Sequence, residues 1–150
     1  MTTPLWLVAH DLTSLSQAAA TEGGRLASAD GGRVQLLHVY PRPQRAPNER
    51  DGKETFALEE EKREMLRIAA LALQARHPSL AIEIEVLPGD PRQRILEEAE
   101  RLNATHIVVG THDRKGLAHL VLGSVAEGVV HGARVPVLVV KWAAPPAEAS

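Results

Sequence analysis

Residues 105–141, THIVVGTHDRKGLAHLVLGSVAEGVVHGARVPVLVVK, carry the clearest indication of the fold class. The stretch contains a strand-like segment at 105–109, apolar from Ile107 onward, that ends in Gly110, and an apolar run at 135–140. Gly123-Ser124 lies between them and begins a short helical segment. Apolar runs of this length, bounded by turn residues, are typical of strands that are buried on both faces. The stretch therefore predicts a strand, a loop, a helix and a final strand of a parallel sheet.

The same alternation continues upstream. Apolar strands are predicted at residues 5–9, 34–39 and 82–86, and the third alternates Ile and Glu as a strand at the margin of a sheet does. Helices are predicted at 15–29, 53–77, 91–102 and 124–131. Parallel strands need helical crossovers, so the order predicts an α/β fold with an open five-stranded parallel sheet and helices on both faces.

The segment from 40 to 52 contains three prolines and several charges, so we expect a mobile surface loop. The helix predicted after it is the longest in the chain. Its apolar residues recur at spacings of three, four and seven, as in an amphipathic helix. They are Leu58, Met65, Ile68, Ala69, Ala72 and Leu73. The acidic run at 59–64 is interpreted as an exposed helix face.

Composition excludes several classes of function. The 150 residues include no cysteine, which removes disulfide frameworks, thiolate metal sites and thiol catalysis. Aromatic residues are 3% and the net charge is −2, so a nucleic-acid-binding surface is not expected. No apolar run approaches the ~20 residues of a membrane span, and the N-terminus does not read as a secretory signal. The expectation is a cytoplasmic chain with one domain over residues 1–150, a core at 4–141 and a flexible tail at 142–150.

Two strand ends carry residues that could bind a ligand. In a doubly wound sheet the ligand lies beyond the carboxyl ends of the strands, where the strand order reverses. The first strand ends in His10-Asp11, and the fourth ends in Gly110-Thr111. Gly123-Ser124 then begins a helix whose N-terminal amides form an anion site. The arrangement predicts a phosphate cradle at this edge. Alternatively, Asp11 could cap the first helix or the turn that precedes it, and Gly110 and Gly123 could be ordinary strand-end and helix-start glycines.

Metal and catalytic sites are not expected. His10, His38 and His112 fall near predicted strand ends, but no histidine pair has the short helical spacing of a zinc site. His38 is interpreted as a core histidine with its hydrogen bonds satisfied. No acid–base pair or nucleophile motif is present in diagnostic surroundings, so the chain is not expected to be an enzyme.

These motifs together resemble the universal stress protein (UspA) family. The resemblance rests on residues 105–141, on Gly89-Asp90-Pro91, on the strand containing Leu37-His38-Val39 and on Asp11, and it covers the chain from Pro4 to Lys141. It implies a Rossmann-like sheet, similar to that of the adenine nucleotide alpha hydrolases, with strand order 3-2-1-4-5.

The ATP-binding branch of that family has glycine, two residues, glycine, nine residues, and then glycine with Ser or Thr. The chain matches this pattern except that Asp113 stands at the middle glycine. Its carboxylate would repel phosphate by about 1 to 4 kcal/mol at ~4 Å. Arg114 and Lys115, or a Mg²⁺ ion between Asp113 and phosphate, could offset that repulsion. The site residues that the resemblance implies are Asp11, Val39, Gly110, Thr111, Asp113, Gly123, Ser124 and Val125.

Two functions therefore remain open. The first is a cytoplasmic stress-response sensor or regulator that binds ATP or a related adenine nucleotide. The second is a homodimeric interaction protein of the same family that binds no nucleotide, because Asp113 replaces a phosphate-loop glycine. In both cases the last strand, from Val137 to Val140, is apolar on both faces, and we expect a second copy to cover this edge across a two-fold axis.

Overall fold

The computed structural model describes residues 2–42, 49–112 and 122–142. Strands and helices alternate along the chain, and five parallel strands form one sheet in the order β3-β2-β1-β4-β5, which confirms the predicted fold. The strands are β1 (Leu5–Ala9), β2 (Arg33–Tyr40), β3 (Ala81–Pro88), β4 (His106–His112) and β5 (Val137–Trp142). The helices are α1 (Ser14–Ala29), α2 (Glu49–Arg76), α3 (Pro91–Arg101) and α4 (Ser124–Gly132).

The register places the predicted ligand edge between β1 and β4. Val8 pairs with Leu36 on β2 and with Val108 on β4, so β1 is the central strand at which the chain reverses direction across the sheet. Parallel pairing brings the carboxyl ends of these strands to the same edge. The crevice beyond that edge is therefore the switch point of the fold.

Two apolar layers cover the sheet. Alternate residues of each central strand point to opposite faces, so Trp6 and Val8 pack with α1 and α2, whereas Leu5 and Leu7 pack with α3 and α4. Fully buried leucine, isoleucine and valine side chains dominate both layers. The core is thus built with few aromatic residues, as the composition predicts. None of the helices in the described ranges is both long and apolar enough to span a bilayer.

Two glycines in the middle of α1 allow this helix to pack closely against β1 and α2. A Cβ atom at Gly24 would lie 2.5 Å from Leu73 Cδ1 on α2, and one at Gly23 would lie 3.0 Å from Val8 Cγ2 on β1. Both glycines are buried. They weaken helix propensity but let α1 settle between the sheet and α2, which explains why the helix continues through them.

Helix α2 begins four residues earlier than the sequence predicts. It begins at Glu49, so residues 49–52 are helical, and residues 43–48 of the predicted mobile loop lie outside the described part. Tyr40, at the start of that segment, ends β2 as a buried residue, and its hydroxyl donates to Glu59 at 2.9 Å. The expected surface loop is therefore shorter than the sequence indicates.

The apolar stripe of α2 is only partly buried. Leu66 and Leu73 are fully buried, whereas Leu58, Met65 and Ile68 are 41%, 42% and 60% exposed. The apolar residues exceed what one buried face of a helix accommodates, and the remainder faces outward.

The two margins of the sheet are β3 and β5, as predicted. β3 exposes Glu83 and half-buries the isoleucines on either side of it. In β5 the residues from Val137 to Val140 are half-buried, with β4 on one side only. Trp142, which the sequence assigns to the tail, is the last residue of β5 and pairs with His112 of β4, so the prediction was wrong at this residue. Residues 143–150 lie outside the described part.

Candidate nucleotide site at the carboxyl edge of the sheet

A cavity of about 130 Å³ lies at the carboxyl edge of β1, β2 and β4, between α1, α3 and α4. Its wall is mostly apolar, and its polar groups come from the turn that follows β1. Enclosed apolar walls with a few convergent polar groups are typical of small-molecule sites. The lining residues are Ala9, His10, Asp11, Leu15, Ser16, Leu37, Val39, Pro91, Ile95, Val109, Gly110, Val125 and Ala126.

Asp11 is held in the turn between β1 and α1. Its Oδ1 atom accepts hydrogen bonds from the Ser16 hydroxyl at 2.6 Å, from the Thr13 amide at 3.0 Å and from the Thr13 hydroxyl. The Ser16 hydroxyl in turn accepts the Asp11 amide at 2.9 Å. The helix cap itself is Thr13, whose side chain accepts the Ser16 amide. Asp11 therefore braces the turn without being the cap of α1.

Hydrogen bonding keeps Asp11 ionised. Burial alone would raise the pKa of this carboxyl, but the bonds from Ser16 and Thr13 outweigh burial and the pKa is lowered. All of these bonds go to Oδ1. The second carboxylate oxygen, Oδ2, makes no hydrogen bond within the described part of the chain, so it is available to a donor in the cavity.

His10 fixes the backbone next to Asp11. Its Nδ1 atom accepts the Leu12 amide at 2.9 Å, so the proton is on Nε2, which donates to Gln17 Oε1 at 3.0 Å. Leu12 has φ = 68°, a left-handed conformation that non-glycine residues rarely adopt. Burial lowers the pKa of His10 and favours the neutral ring that this pattern requires.

The N-terminus of α4 lies beside the cavity, and no side chain of the described residues caps its first amides. Gly123 is the N-cap residue and supplies no side-chain hydrogen bond, and the first intrahelical bond within α4 is donated by Glu127. The Gly123 amide donates to the buried Thr111 hydroxyl at 3.3 Å. The first-turn amides from Ser124 to Ala126 have no intrahelical acceptor, which is the usual basis of anion binding at a helix start.

The two predicted cradle glycines have different surroundings. A Cβ atom at Gly110 would lie 3.0 Å from Leu15 Cγ, so a larger residue there would push against α1. Nothing described lies within 4 Å of a Cβ atom at Gly123. A side chain at Gly123 would therefore meet no described residue other than the chain neighbours of Gly123.

The structure brings most of the predicted site together. Asp11, Val39, Gly110 and Val125 line the cavity, and Thr111 contacts Gly123 directly. Ser124 follows Gly123 as the first residue of α4 and is exposed. Asp113, together with Arg114 and Lys115, lies outside the described residues.

Sequence reasoning missed Ser16, Pro91 and Ile95. Ser16 stands five residues after Asp11, a spacing that the first turn of α1 folds back onto the carboxylate. Pro91 follows the Asp90 N-cap of α3, so the Gly89-Asp90-Pro91 motif predicted a helix start but not its position at the cavity. The apolar wall residues carry no local signal, because any buried residue of a strand or helix has the same pattern.

The histidines do not form a metal centre in the described ranges. His38 is buried, as expected, and donates from Nδ1 to the His10 carbonyl at 2.8 Å. Its Nε2 atom has no partner within the described part, which corrects the expectation of a fully satisfied core histidine. Burial lowers the pKa of His38 as well, so both rings of the pair favour the neutral form.

Comparison with known proteins identifies relatives over nearly the whole chain. The profile of the universal stress protein family matches residues 6–141. Universal stress protein MJ0531 of Methanocaldococcus jannaschii is 43% identical over 84 residues, 56% of this chain and 48% of its own length. Universal stress protein Mb2028c of Mycobacterium bovis is 30% identical over 135 residues, 90% of this chain and 44% of its own length. The chain thus spans about half the length of the curated relatives it matches.

Solved structures share the fold. Universal stress protein UspA from Lactobacillus plantarum superposes with a TM-score of 0.75 at 21% identity, covering 93% of this chain and 99% of that one. A universal stress protein solved in complex with cAMP gives 0.67 at 24% identity, covering 93% and 98%. A universal stress protein from Archaeoglobus fulgidus, solved in complex with dAMP, gives 0.66 at 24% identity with the same coverage. Because the profile match extends from β1 to β5 and includes both sides of the cavity, the chain belongs to the universal stress protein family.

Proposed function

We propose that the protein binds ATP or a related adenine nucleotide in the cavity at the carboxyl edge and acts as a cytoplasmic stress-response sensor or regulator, without catalysing a reaction. The observation that carries this proposal is the position of the α4 N-terminus: no side chain of Gly123 caps it, and Val125 and Ala126 of its first turn line the apolar cavity. Two structural neighbours of the same family were solved with cAMP and with dAMP, which supports an adenine nucleotide as the ligand class.

The cavity offers one partner for each part of a nucleotide. The apolar wall with Val39 and Ile95 suits the flat base, because burial of its faces removes apolar surface from water. Asp11 suits a sugar hydroxyl, since its ionised carboxylate keeps an oxygen for a donor. The first-turn amides of α4 suit phosphate, with the helix dipole in the favourable direction.

The titratable groups at the cavity support a binding role. Both Asp11 and His10 are engaged by protein atoms that hold the turn after β1. The neutral His10 ring already uses both of its nitrogens, one as donor and one as acceptor. A group that braces the backbone in this way is poorly placed to move a proton during a reaction.

Calorimetric titration with ATP, with and without Mg²⁺, tests the proposal. We expect measurable binding that weakens in Asp11→Ala, because the carboxylate is lost, and that strengthens in Asp113→Gly, because a negative charge near the phosphates is removed. Gly52→Ala is the control, since Gly52 is exposed in α2 and does not line the cavity. Absence of heat at millimolar nucleotide in both the parent chain and Asp113→Gly would end the nucleotide proposal.

The second candidate function is a homodimeric interaction protein that binds no nucleotide. Asp113, at the position of a phosphate-loop glycine in the family pattern, favours it. The half-buried edge of β5, from Val137 to Val140, supports a dimer in which a second copy pairs with this strand. Sedimentation tests the dimer, and a stable monomer at micromolar concentration would exclude it.

A further inference from the structure

Helix α2 carries most of the large hydrophobic side chains that are exposed in the described part of the chain. Within the described residues, six large hydrophobic side chains are exposed, and five of them lie on α2. Met65, Ile68 and Leu71 form a continuous outward patch, with 42%, 60% and 62% of each residue exposed. Exposed apolar surface concentrated on one element marks an interaction site more often than scattered single residues do.

The patch has a repeat that suits a second helix. Glu61, Glu64, Ile68, Leu71 and Ala75 follow one another at spacings of three and four, so they share the outer face of α2, opposite the buried Leu66 and Leu73. This spacing is that of the contact seam of paired helices.

The residues on this face stand at matching distances before and after Ile68. Met65 and Leu71 stand three positions before and after Ile68, and the glutamates 61 and 64 stand opposite the alanines 75 and 72 at seven and four positions. In an antiparallel pair of α2 helices centred on Ile68, the two glutamates would therefore face alanines of the partner, whereas Met65 would face Leu71. Glutamate opposite alanine leaves room for the central apolar residues to pack closely.

Charge is also distributed unevenly along the length of α2. From Lys53 to Glu64, α2 carries five carboxylates against three cations, whereas from Met65 to Arg76 it carries two arginines and no carboxylate. Glu61 and Arg76 are exposed, and neither makes an ion pair within the described part of the chain. They stand seven positions before and eight positions after Ile68, so an antiparallel partner places each beside the other.

A groove of about 340 Å³ runs along the same helix. It lies between the turn that contains Leu12 and Thr13 and the α2 residues Met65, Ile68 and Ala72. The groove gives the partner helix room beside Met65. The charges favour an antiparallel pair, because a parallel pair would bring the acidic halves of the two helices together. Self-complementarity in both shape and charge favours a second copy of this chain over an unrelated protein as the occupant.

We propose that α2 is a homotypic interface in which two copies pack their outer α2 faces antiparallel across a two-fold axis at Ile68, with Met65 against Leu71 and Ala72 of the partner and Glu61 beside the partner's Arg76. This interface lies on the face of the sheet covered by α1 and α2 and is separate from the edge strand β5. A chain that uses both interfaces assembles beyond a dimer.

Cysteine cross-linking tests the geometry directly, because the native sequence contains no cysteine. On a two-fold axis between helices ~8–10 Å apart, facing Cα atoms at position 68 come within disulfide range. The control is Leu58→Cys, which is also exposed on α2 but would lie roughly 30 Å from its own symmetry mate in the antiparallel pair. We expect Ile68→Cys to form a disulfide-linked dimer under mild oxidation at least about tenfold faster than Leu58→Cys.

Charge exchange then tests the orientation. In the Ile68→Cys background, Glu61→Arg or Arg76→Glu alone should slow cross-linking roughly tenfold, because each places like charges together at both ends of the interface. A mixture of the two variants should restore the rate and give the mixed dimer, identified by its mass. Equal cross-linking at positions 58 and 68, or no recovery in the mixture, would overturn the proposed packing whether or not nucleotide binds and whether or not β5 pairs.

Discussion

The Nδ1 atom of His10 accepts the amide of Leu12 at 2.9 Å, and this bond holds Leu12 in a left-handed conformation with φ = 68°. Asp11 lies between the two residues, so the ring of His10 sets the direction of the carboxylate that lines the cavity. The bond needs a neutral imidazole, because a protonated ring has no acceptor.

Stability should therefore fall below neutral pH. Burial lowers the pKa of His10 in the folded chain below its ordinary value of about 6.5, so the unfolded chain binds more protons as the pH falls through 6.5. The free energy of unfolding from urea titrations should decrease from pH 7.5 to pH 6.0, by at most about 1.4 kcal/mol per pH unit for each such histidine. His10→Gln should reduce this slope without abolishing it, since the pKa of His38 is lowered in the same direction.

His131→Gln is the matched control, because His131 is exposed on α4. Its free energy of unfolding at pH 7.5 should stay within about 0.5 kcal/mol of the parent chain. A parent chain that is equally stable or more stable at pH 6.0 would show that the His10 ring does not brace the turn.

Two glycine substitutions should have opposite effects on stability. A methyl group at Gly24 meets Leu73 Cδ1 at 2.5 Å, so Gly24→Ala should destabilise the fold by roughly 1–3 kcal/mol in spite of the higher helix propensity of alanine. Gly52→Ala, also within a helix but with nothing within 4 Å, should stabilise by roughly 0.5–1 kcal/mol. Urea unfolding measures both, and a neutral Gly24→Ala would mean that α1 and α2 are packed less closely than described.

The contrast between these glycines shows what the sequence could and could not predict. The parallel sheet and its switch point can be predicted from apolar runs and crossover rules, because a strand that is buried on both faces has a continuous run of apolar residues. From the sequence alone, Gly24 only lowers the helix propensity of α1. Its packing against Leu73 could not be predicted, because Leu73 is 49 positions away and no local pattern connects the two residues.

The site was predictable to a similar extent. Asp11, Gly110 and Gly123 stand at strand and helix ends, where topology alone brings residues together. Ser16 was missed because a serine in a helix start is usually a capping residue, and its bond to Asp11 depends on the left-handed Leu12 between them. The outward patch of α2 was missed for a related reason, since periodicity identifies an apolar stripe but not which of its members are buried.

Ser16 should control the ionisation of Asp11. The Ser16 hydroxyl donates to Asp11 Oδ1 at 2.6 Å, and its removal in Ser16→Ala takes away a bond to the charged form. The pKa of Asp11, followed by NMR titration of its carboxyl carbon, should rise in Ser16→Ala. Ser14→Ala, an exposed serine two residues earlier in α1, should leave that pKa at its value in the parent chain. If the pKa of Asp11 in Ser16→Ala equals that in the parent chain, the Ser16 hydroxyl does not lower it.

Thr111 should hold the start of α4 in position. Its buried hydroxyl accepts the Gly123 amide at 3.3 Å, and Thr111→Val keeps the shape while removing this acceptor. Hydrogen exchange at the Gly123 amide should accelerate by about fivefold, in keeping with the loss of a bond of about 1 kcal/mol. Thr111→Ser, which keeps the hydroxyl, should retain slow exchange. Fast exchange in the parent chain as well would show that the bond is not formed in solution.

In the proposed complex, the first-turn amides of α4 receive an anionic group of the nucleotide bound in the cavity. Backbone amide NMR spectra of the ¹⁵N-labelled chain, recorded during titration with ATP and separately with adenosine, distinguish this arrangement from others. Both ligands should shift the resonances of Asp11 and Val39, and only ATP should also shift those of Ser124 and Val125. Equal shifts at Ser124 and Val125 with adenosine, or no shift at these amides with ATP, would show that α4 does not bind the phosphates.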